Sequence, residues 1–133
     1  MSGETDLTRL LAALEPELRP GRFVFTTVRR PPEGLDPVAL VREDEGVTLV
    51  VAQEDADRLD LPYDYVTAMV SLRVHSSLDA VGMTAAVSRT LADAGISCNL
   101  MSGYYHDHLF VPADEGRRVL SLLGDLARGH GGR

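Results

Sequence analysis

The pattern of apolar and polar residues is clearest over residues 63–112, where it predicts strands around a central helix. Residues 65–74 are rich in apolar and β-branched side chains, which suit a half-buried pleated strand. Residues 75–80 interrupt that run with two serines and an aspartate, so we expect a loop there. Beyond the loop, apolar residues recur at helical spacing, at Met83, Val87, Thr90, Leu91 and Ala94.

The end of this helix and the two strands that follow it are marked by turn residues. Gly95 is predicted to end the helix, since the residue just past a helix often takes a positive φ that glycine adopts without steric strain. Residues 96–101 and 109–111 are predicted strands, and residues 103–107 are a predicted turn between them. Together these segments predict a strand, a helix and a strand pair in this order.

The first half of the chain shows the same two periodicities over shorter segments. A helix is predicted before Pro16, with an apolar stripe formed by Leu7, Leu10, Leu11 and Leu14. The other predicted elements are strands over 22–28, 38–42 and 47–52, a short helix over 53–59 and a closing helix over 114–128. The apolar run in 47–52 is continuous, which indicates burial on both faces of a sheet.

Composition and charge exclude several classes of partner. The chain has 13 basic and 20 acidic residues, a net charge of −7, and no extended basic cluster, which argues against nucleic acid because phosphate binding needs concentrated positive charge. No apolar run approaches the roughly 20 residues that span a bilayer, and the polar N-terminus does not resemble a signal peptide. A single cysteine excludes an internal disulfide. These features predict a cytoplasmic protein with no nucleic-acid or membrane partner.

Three motifs in the central stretch resemble a known family: LRVHSSLDAVGMTAA at 72–86, LADAGISCN at 91–99 and GYYHDHLFVP at 103–112. They are similar to ACT domains, the amino-acid-sensing regulatory fold, and especially to small bacterial tandem-ACT proteins, which are related in architecture to the arginine-sensor ACT proteins of animals. The resemblance implies an α+β ferredoxin-like sandwich, an antiparallel sheet with helices on one face and two half-units packed together. It divides the chain into an N-terminal ACT-like half, 1–62, and a C-terminal ACT domain, 63–133.

The order of the predicted elements departs from the βαββαβ order that the resemblance implies. The second half lacks a final strand, and a strand from the first half could complete it. Pro62 is the only plausible boundary, and such a short linker predicts that the two halves are not independent domains.

The loop that enters the central helix is the first candidate binding site. Amides at a helix start are unpaired and favour an anion, so a ligand carboxylate could accept hydrogen bonds from Val81, Gly82 and Met83. Asp79 could then meet an ammonium group. The alternative is that Ser77 or Asp79 caps the helix and Gly82 relieves a packing constraint. The resemblance raises the weight of the binding interpretation until the two alternatives are about equal, because ACT effectors sit at this loop. The entry at 78–82 departs from the usual family pattern.

Asn99 lies on the strand predicted to run beside the loop and could offer both a donor and an acceptor to a zwitterion. The alternative is a polar strand residue that pairs with a neighbour or with backbone. The complete predicted ligand-binding set is Ser76, Ser77, Asp79, Val81, Gly82, Met83 and Asn99.

The sequence gives little support to metal binding or catalysis. His106 and His108 would share one strand face, but Asp107 would point the other way, so a polar hairpin turn is favoured over a metal site. Cys98 is predicted to be a small buried apolar residue, and the serines lack an evident nearby base. No catalytic residue, metal or cofactor is therefore predicted.

These observations predict a non-enzymatic regulatory or sensor protein that binds a small molecule, an amino acid. The alternative is a structural or protein-interaction module that has kept the fold without an effector. We expect a homodimer, since ACT units bury a sheet edge or helix face against another copy and exposed edges are a liability. Gly82→Val is expected to abolish binding, and its effect on stability is expected to be smaller if Gly82 has a negative φ.

Overall fold

The computed structural model describes residues 5–131, over which four α-helices, a 3₁₀ turn and seven strands are formed. The helices are α1 Leu7–Ala12, α2 Gln53–Arg58, α3 Met83–Asp93 and α4 Gly116–Gly131, and the 3₁₀ turn is Ala113–Glu115. The strands are β1 Pro16–Leu18, β2 Phe23–Val28, β3 Ala39–Glu43, β4 Gly46–Ala52, β5 Val66–Leu72, β6 Asn99–Ser102 and β7 Asp107–Pro112. Every element predicted from periodicity is present, within a few residues of its predicted bounds.

The seven strands form one antiparallel sheet in the order β3-β4-β2-β5-β7-β6, with β1 added beside β5. The longest ladders join β2 to β4 and β5 to β7, with six residue pairs in each. This arrangement confirms the predicted α+β class and the ferredoxin-like antiparallel sheet.

The sequence pattern does not predict strand β1, because Pro16 is interpreted from it only as the residue that ends the preceding helix. In the structure Pro16 pairs with Leu72 and Leu18 pairs with Val70, so β1 is an edge partner of β5. Proline is tolerated at such a position because the first residue of a strand need not donate to the ladder. A strand from the first half therefore completes the second unit, as the missing final strand suggested.

Strand β5 joins the two units of the sheet. Its first residues, Val66 and Thr67, pair with β2, its later residues pair with β1, and β7 runs along its other side. One unit therefore contains β2, β3, β4 and α2, and the other contains β1, β5, β6 and β7 with the remaining three helices. Because α1 and β1 precede β2 but pack in the second unit, the division at residue 62 stays a prediction.

Three helices cover one face of the second unit and enclose the main core. The side chains buried there, at most 4% exposed, are Leu14, just beyond the end of α1, and from the helices Leu10, Leu11, Met83, Val87, Leu91, Val119 and Leu123. They pack on Ala68, Val70 and Leu72 of β5, which alternate along the strand and so share a face. Full burial of one such leucine contributes about 1.5–3 kcal/mol. The helical stripes predicted for α3 and α4 thus face the core, whereas in α1 only Leu10 and Leu11 of the predicted stripe are buried and Leu7 is exposed.

The opposite face of the sheet has a smaller cluster of Phe23, Val50, Met69 and Phe110. The rings of Phe25 and Phe110 meet edge to face, with centroids 5.4 Å apart and planes at 85°. In β4, Leu49, Val50 and Val51 are all 0% exposed, so consecutive side chains are buried on both faces. This confirms the interpretation of the continuous apolar run.

Candidate functional site

The β5–α3 loop, residues 73–82, leaves the sheet at the end of β5 and contains most of the predicted site residues. The Ser77 hydroxyl donates to the Asp79 carboxylate, and the Ala80 amide donates to the Ser77 carbonyl at 3.0 Å. Ser77 is 5% exposed, whereas Asp79 is exposed. The loop therefore holds the Asp79 carboxylate at the surface through a buried serine.

A second contact ties this loop to the neighbouring strand β7. The Ser76 hydroxyl donates to Oδ2 of Asp107 at 3.3 Å, and Asp107 is 5% exposed. Sequence reasoning missed Asp107 as a member of this site, because it was considered only with the adjacent histidines. Its position on the face opposite to His106 and His108, which the strand period already indicates, is what directs it towards the loop.

The start of helix α3, just after Gly82, has no side-chain cap. Gly82 is its N-cap residue with φ 103°, and no side chain accepts a hydrogen bond from the first turn. The suggestion that Ser77 or Asp79 caps the helix is therefore wrong, because the hydroxyl and the carboxylate bond each other instead. Amides at an uncapped helix start remain available to an external acceptor.

The left-handed φ of Gly82 changes the expectation for its replacement. A Cβ at this position would lie 3.0 Å from Cδ2 of Leu7, on helix α1. The condition of a negative φ is thus not met, and Gly82→Val strains the backbone whether or not a ligand binds there. The packing interpretation of Gly82 is also correct, since Leu7 covers the side of the glycine where a Cβ would stand.

The remaining predicted residues differ in what they can offer. Met83 is 4% exposed with its side chain in the core, so only its amide is available, whereas Val81 is 82% exposed. Asn99 pairs with Phe110 in the β6–β7 ladder, three residues before Ser102, which pairs with Asp107. Three residues along a strand span about 10 Å. The structure brings the loop residues and the start of α3 together, and it places Asn99 farther down the sheet.

The loop and the β6–β7 turn share an exposed apolar and aromatic surface. The rings of His75 and Tyr105 lie 5.4 Å apart, and those of Tyr104 and Tyr105 lie 5.1 Å apart. We define the loop-end patch as Leu78, Val81, Tyr104 and Tyr105, which are between 60% and 82% exposed. Single exposed apolar residues are ordinary, but a group of them at one end of a unit indicates an interaction surface.

Two histidine nitrogens near this end are buried without a partner. Among the side chains of the described part of the chain, Nε2 of His75 and Nδ1 of His106 have no hydrogen-bond partner. Buried polar atoms are almost always paired in proteins, with protein groups or with ordered water, so these two nitrogens are exceptions among the described side chains. Sequence reasoning did not single out His75, and no motif signals it.

Contrary to the sequence interpretation, one serine does have a histidine beside it. The Ser71 hydroxyl lies 2.8 Å from Nδ1 of His108 and also accepts from Nη1 of Arg19 at 3.2 Å. Ser71 is 0% exposed, so its hydroxyl cannot contact a substrate. The trio is a buried polar contact between β1, β5 and β7. His108 itself lies on β7 and not in the turn where sequence reasoning placed it.

Burial lowers the pKa of His108 below its ordinary value of 6.5. The charges of Arg19, His106 and Arg73 also lower this pKa, whereas the carboxylate of Asp107 raises it. Burial likewise raises the pKa of the Cys98 thiol, which disfavours the reactive thiolate.

Acid is expected to destabilise the fold through His108. Below pH 6.5 the unfolded chain binds a proton at this position more readily than the folded chain, whose His108 pKa is lower. The contribution of His108 to the stability of the fold is therefore present above pH 6.5, and it is lost as the pH falls through the pKa that His108 has in the folded protein. Urea denaturation between about pH 5 and pH 8 should show this decline, and His108→Gln should reduce it. An equal decline in His108→Gln would assign the acid sensitivity to other groups.

Neither a metal centre nor a membrane span is indicated by the described residues. Over residues 5–131 no three histidine, cysteine or acidic side chains are grouped in a way that could hold a metal ion. Within the same range, no helix combines the length and the apolar character required to cross a bilayer.

Comparison with solved structures shows proteins of similar architecture. A Vibrio cholerae protein of unknown function, described as a possible transport protein, is 42% identical, with a TM-score of 0.82 over 91% of this chain and 95% of its own. An Agrobacterium tumefaciens protein is 20% identical, with a TM-score of 0.70 over 85% of this chain and 88% of its own. The ligand-free regulatory subunit of aspartate kinase from Thermus thermophilus shares the fold at 10% identity and a TM-score of 0.65, over 86% and 97% of the two chains.

Family assignment agrees with these structural likenesses. No curated protein matches this sequence. Two family models described as ACT domain match residues 2–68 and residues 65–125, and together they span almost the whole chain. The protein belongs to the ACT-domain family and contains two ACT domains in tandem.

Proposed function

We propose that this protein is a non-enzymatic regulator that binds a free amino acid at the β5–α3 loop. Its membership in the ACT family supports a regulatory role, because such domains typically bind amino acids. The regulatory subunit of aspartate kinase, which shares this fold, is itself a regulatory protein. The single cysteine agrees with an assignment to the cytoplasm.

The uncapped start of α3 beside a polar loop is the observation that carries the proposal. The ligand carboxylate accepts hydrogen bonds from the amides of residues 81–83, where the helix dipole also favours a negative charge. The ammonium group faces Asp79, which Ser77 holds in place. The unpaired Nε2 of His75 adds a polar atom to the same loop, and Ser76 anchors the loop to the sheet.

The exposure of this loop supports a site shared between two chains. Asp79 is exposed and Val81 is 82% exposed, so a ligand bound to one chain alone would remain largely in water. A second copy packed against the loop-end patch would cover both the patch and the ligand. We therefore propose a homodimer in which the ligand lies at the interface. Asn99 remains a proposed contact, reached only if the ligand or the partner chain extends down the sheet.

Thermal shift measurements with the twenty amino acids test the ligand. A ligand at about one hundred times its Kd adds about 2.7 kcal/mol of stability, which is easily detected. Asp79→Ala is expected to weaken the binding of that amino acid by about 2–5 kcal/mol if the dimer removes the pair from water, and by less than about 1 kcal/mol if the pair stays exposed.

Asp93→Ala is the matched control, because Asp93 is an exposed carboxylate at the opposite end of α3. It should leave affinity unchanged. The absence of a shift with every amino acid at millimolar concentration, or an equal loss in both variants, would contradict the proposed site.

The loop-end patch also supports the second candidate function, a protein-interaction module without an effector. Exposed aromatic residues such as Tyr104 and Tyr105 are enriched at protein interfaces, and they need no small ligand to pack. Capture of one specific partner protein, combined with no response to any amino acid, would favour this function over amino-acid sensing.

The proposed homodimer is expected to separate when a charge is placed in the patch. Val81→Asp introduces a carboxylate at the interface, so light scattering should show the mass falling from twice 14.4 kDa to 14.4 kDa. Leu40→Asp is the control, since Leu40 is 40% exposed on the edge strand β3, outside the patch. A wild-type protein that is monomeric at high concentration would refute the dimer, and separation by Leu40→Asp alone would move the interface to the sheet edge.

A further inference from the structure

A pocket lies at the opposite end of β5 from the β5–α3 loop. It has a volume of about 420 Å³, which falls within the range of small-molecule pockets. The pocket forms where the chain passes from β1 to β2 and turns at Gly21, whose φ is +85°. Along this edge β5 changes partner, from β1 at Val70 to β2 at Thr67, and Ala68 lines the pocket between them.

The charge of this pocket is opposite to that of the protein. The whole chain carries 13 basic and 20 acidic residues, for a net charge of −7. The pocket is nevertheless lined by three arginines, Arg19, Arg22 and Arg117, and by a single carboxylate, that of Asp114. An acidic protein that gathers arginines around one concavity has a local potential suited to an anion.

The contacts of Arg22 and Arg117 leave much of the positive charge of this pocket unneutralised. Arg22 contacts Asp114 at 3.4 Å, but both side chains are exposed, at 55% and 92%, so the pair is weak. The Arg19 guanidinium donates to the Ser71 hydroxyl, on the face of β5 opposite to Ala68, so Arg19 lines the pocket without directing its charge into it. Arg117 has no carboxylate partner among the side chains that the structure describes.

We propose that this pocket binds a small dianion, a phosphate-bearing molecule or a dicarboxylate, between the guanidinium groups of Arg22 and Arg117. Guanidinium groups bind both anions through paired hydrogen bonds. Leu18, Ala68 and Ala113 also line the pocket and accept the carbon skeleton of the ligand. The Asp114 carboxylate competes with the ligand, because it pairs with the Arg22 guanidinium until the ligand anion displaces it.

This site is independent of the amino-acid site and does not rest on it. The β5–α3 loop follows Leu72, whereas the pocket lies beside Ala68 and the 3₁₀ turn that follows β7. Arg22 leads into β2 of one ACT unit, and Arg117 lies on α4 of the other. A dianion held by both side chains therefore bridges the two units, and its binding stabilises their contact.

Calorimetry at low ionic strength tests the pocket with three probes: inorganic phosphate, succinate and the uncharged succinamide. Saturable binding of phosphate, of succinate or of both is expected, and binding of succinamide is not. Preference between the first two probes identifies the anion class. Arg117→Gln and Arg22→Gln should each weaken binding about tenfold or more, as the loss of one charge-assisted contact predicts. Asp114→Asn should strengthen it, because the competing carboxylate is gone.

Arg118→Gln is the matched control. Arg118 is the next residue along α4, but it contacts Glu115 at 3.2 Å and the carbonyl of Ala94 at 3.3 Å, away from the pocket. Its replacement should leave dianion binding unchanged. The proposal is overturned if neither dianion binds saturably, or if Arg118→Gln weakens binding as much as Arg117→Gln does.

Discussion

Leu10→Ala is expected to destabilise the protein by about 2–5 kcal/mol, although Leu10 lies far from the C-terminal unit in sequence. Leu10 is 0% exposed, and it belongs to the cluster that α1 forms with α3, α4 and β5. Its truncation removes apolar contacts and leaves a cavity that rigid neighbours cannot fill. This loss is a large part of the free energy of unfolding of a typical protein, about 5–15 kcal/mol. Urea denaturation measures the loss directly.

Leu7→Ala is the matched control within the same helix, because Leu7 is 38% exposed and should lose far less stability. A fragment of residues 63–133 extends the test. It lacks both β1 and the three buried leucines of the N-terminal segment, Leu10, Leu11 and Leu14, so it should not fold on its own. A folded fragment, or equal losses in the two leucine variants, would show that the second unit does not depend on the N-terminal segment.

Gly82→Val is expected to reduce stability by about 2–4 kcal/mol, mostly through backbone strain. A β-branched side chain at φ 103° is strongly disfavoured, and its Cβ would lie 3.0 Å from Cδ2 of Leu7. Because α3 begins at this residue, the strain acts on the entry of a helix that contributes Met83, Val87 and Leu91 to the core. Urea denaturation of the variant without ligand measures the effect.

Comparison with Gly95→Val separates the backbone strain in Gly82→Val from the steric contact of its side chain with Leu7. Gly95 has a φ of +75° with no atom within 4 Å of an added Cβ, so its replacement reports backbone strain alone. The extra loss in Gly82→Val then measures the contact with Leu7, and Leu7→Ala should recover part of it. If Gly82→Val were as stable as the wild type, the left-handed conformation at the start of α3 would be incorrect.

Gly82 also shows how far the candidate site could be predicted. The change from strand to helical periodicity located the loop and the start of α3 correctly, since both depend on local patterns. The positive φ, the Leu7 contact and the Ser76–Asp107 hydrogen bond could not be predicted in this way. The Leu7 contact and the hydrogen bond each join residues that are distant in sequence, and no local pattern specifies which distant residue will face the loop.

The polar contact of Ser71 with His108 and Arg19 follows the same rule. These residues lie on β5, on β7 and beside β1, and the register of three strands brings them together. A shift of one residue in any of these ladders would turn the side chain concerned to the other face. The pairing, and with it the lowered pKa of His108, is therefore a property of the assembled sheet.

By itself, the sequence determined the elements other than β1 and most of the buried faces of the helices, because apolar periodicity and turn residues act within a few positions. Its motifs also resembled the ACT family. The sequence also indicated that the second unit lacked a strand. Only the tertiary structure decided that Pro16–Leu18 supplies that strand and that β5 is shared by both units. It alone brought Arg22 and Arg117 together at one pocket of an acidic chain. These features depend on which strands pair across long stretches of chain, and pairing is selected by the burial of the whole core.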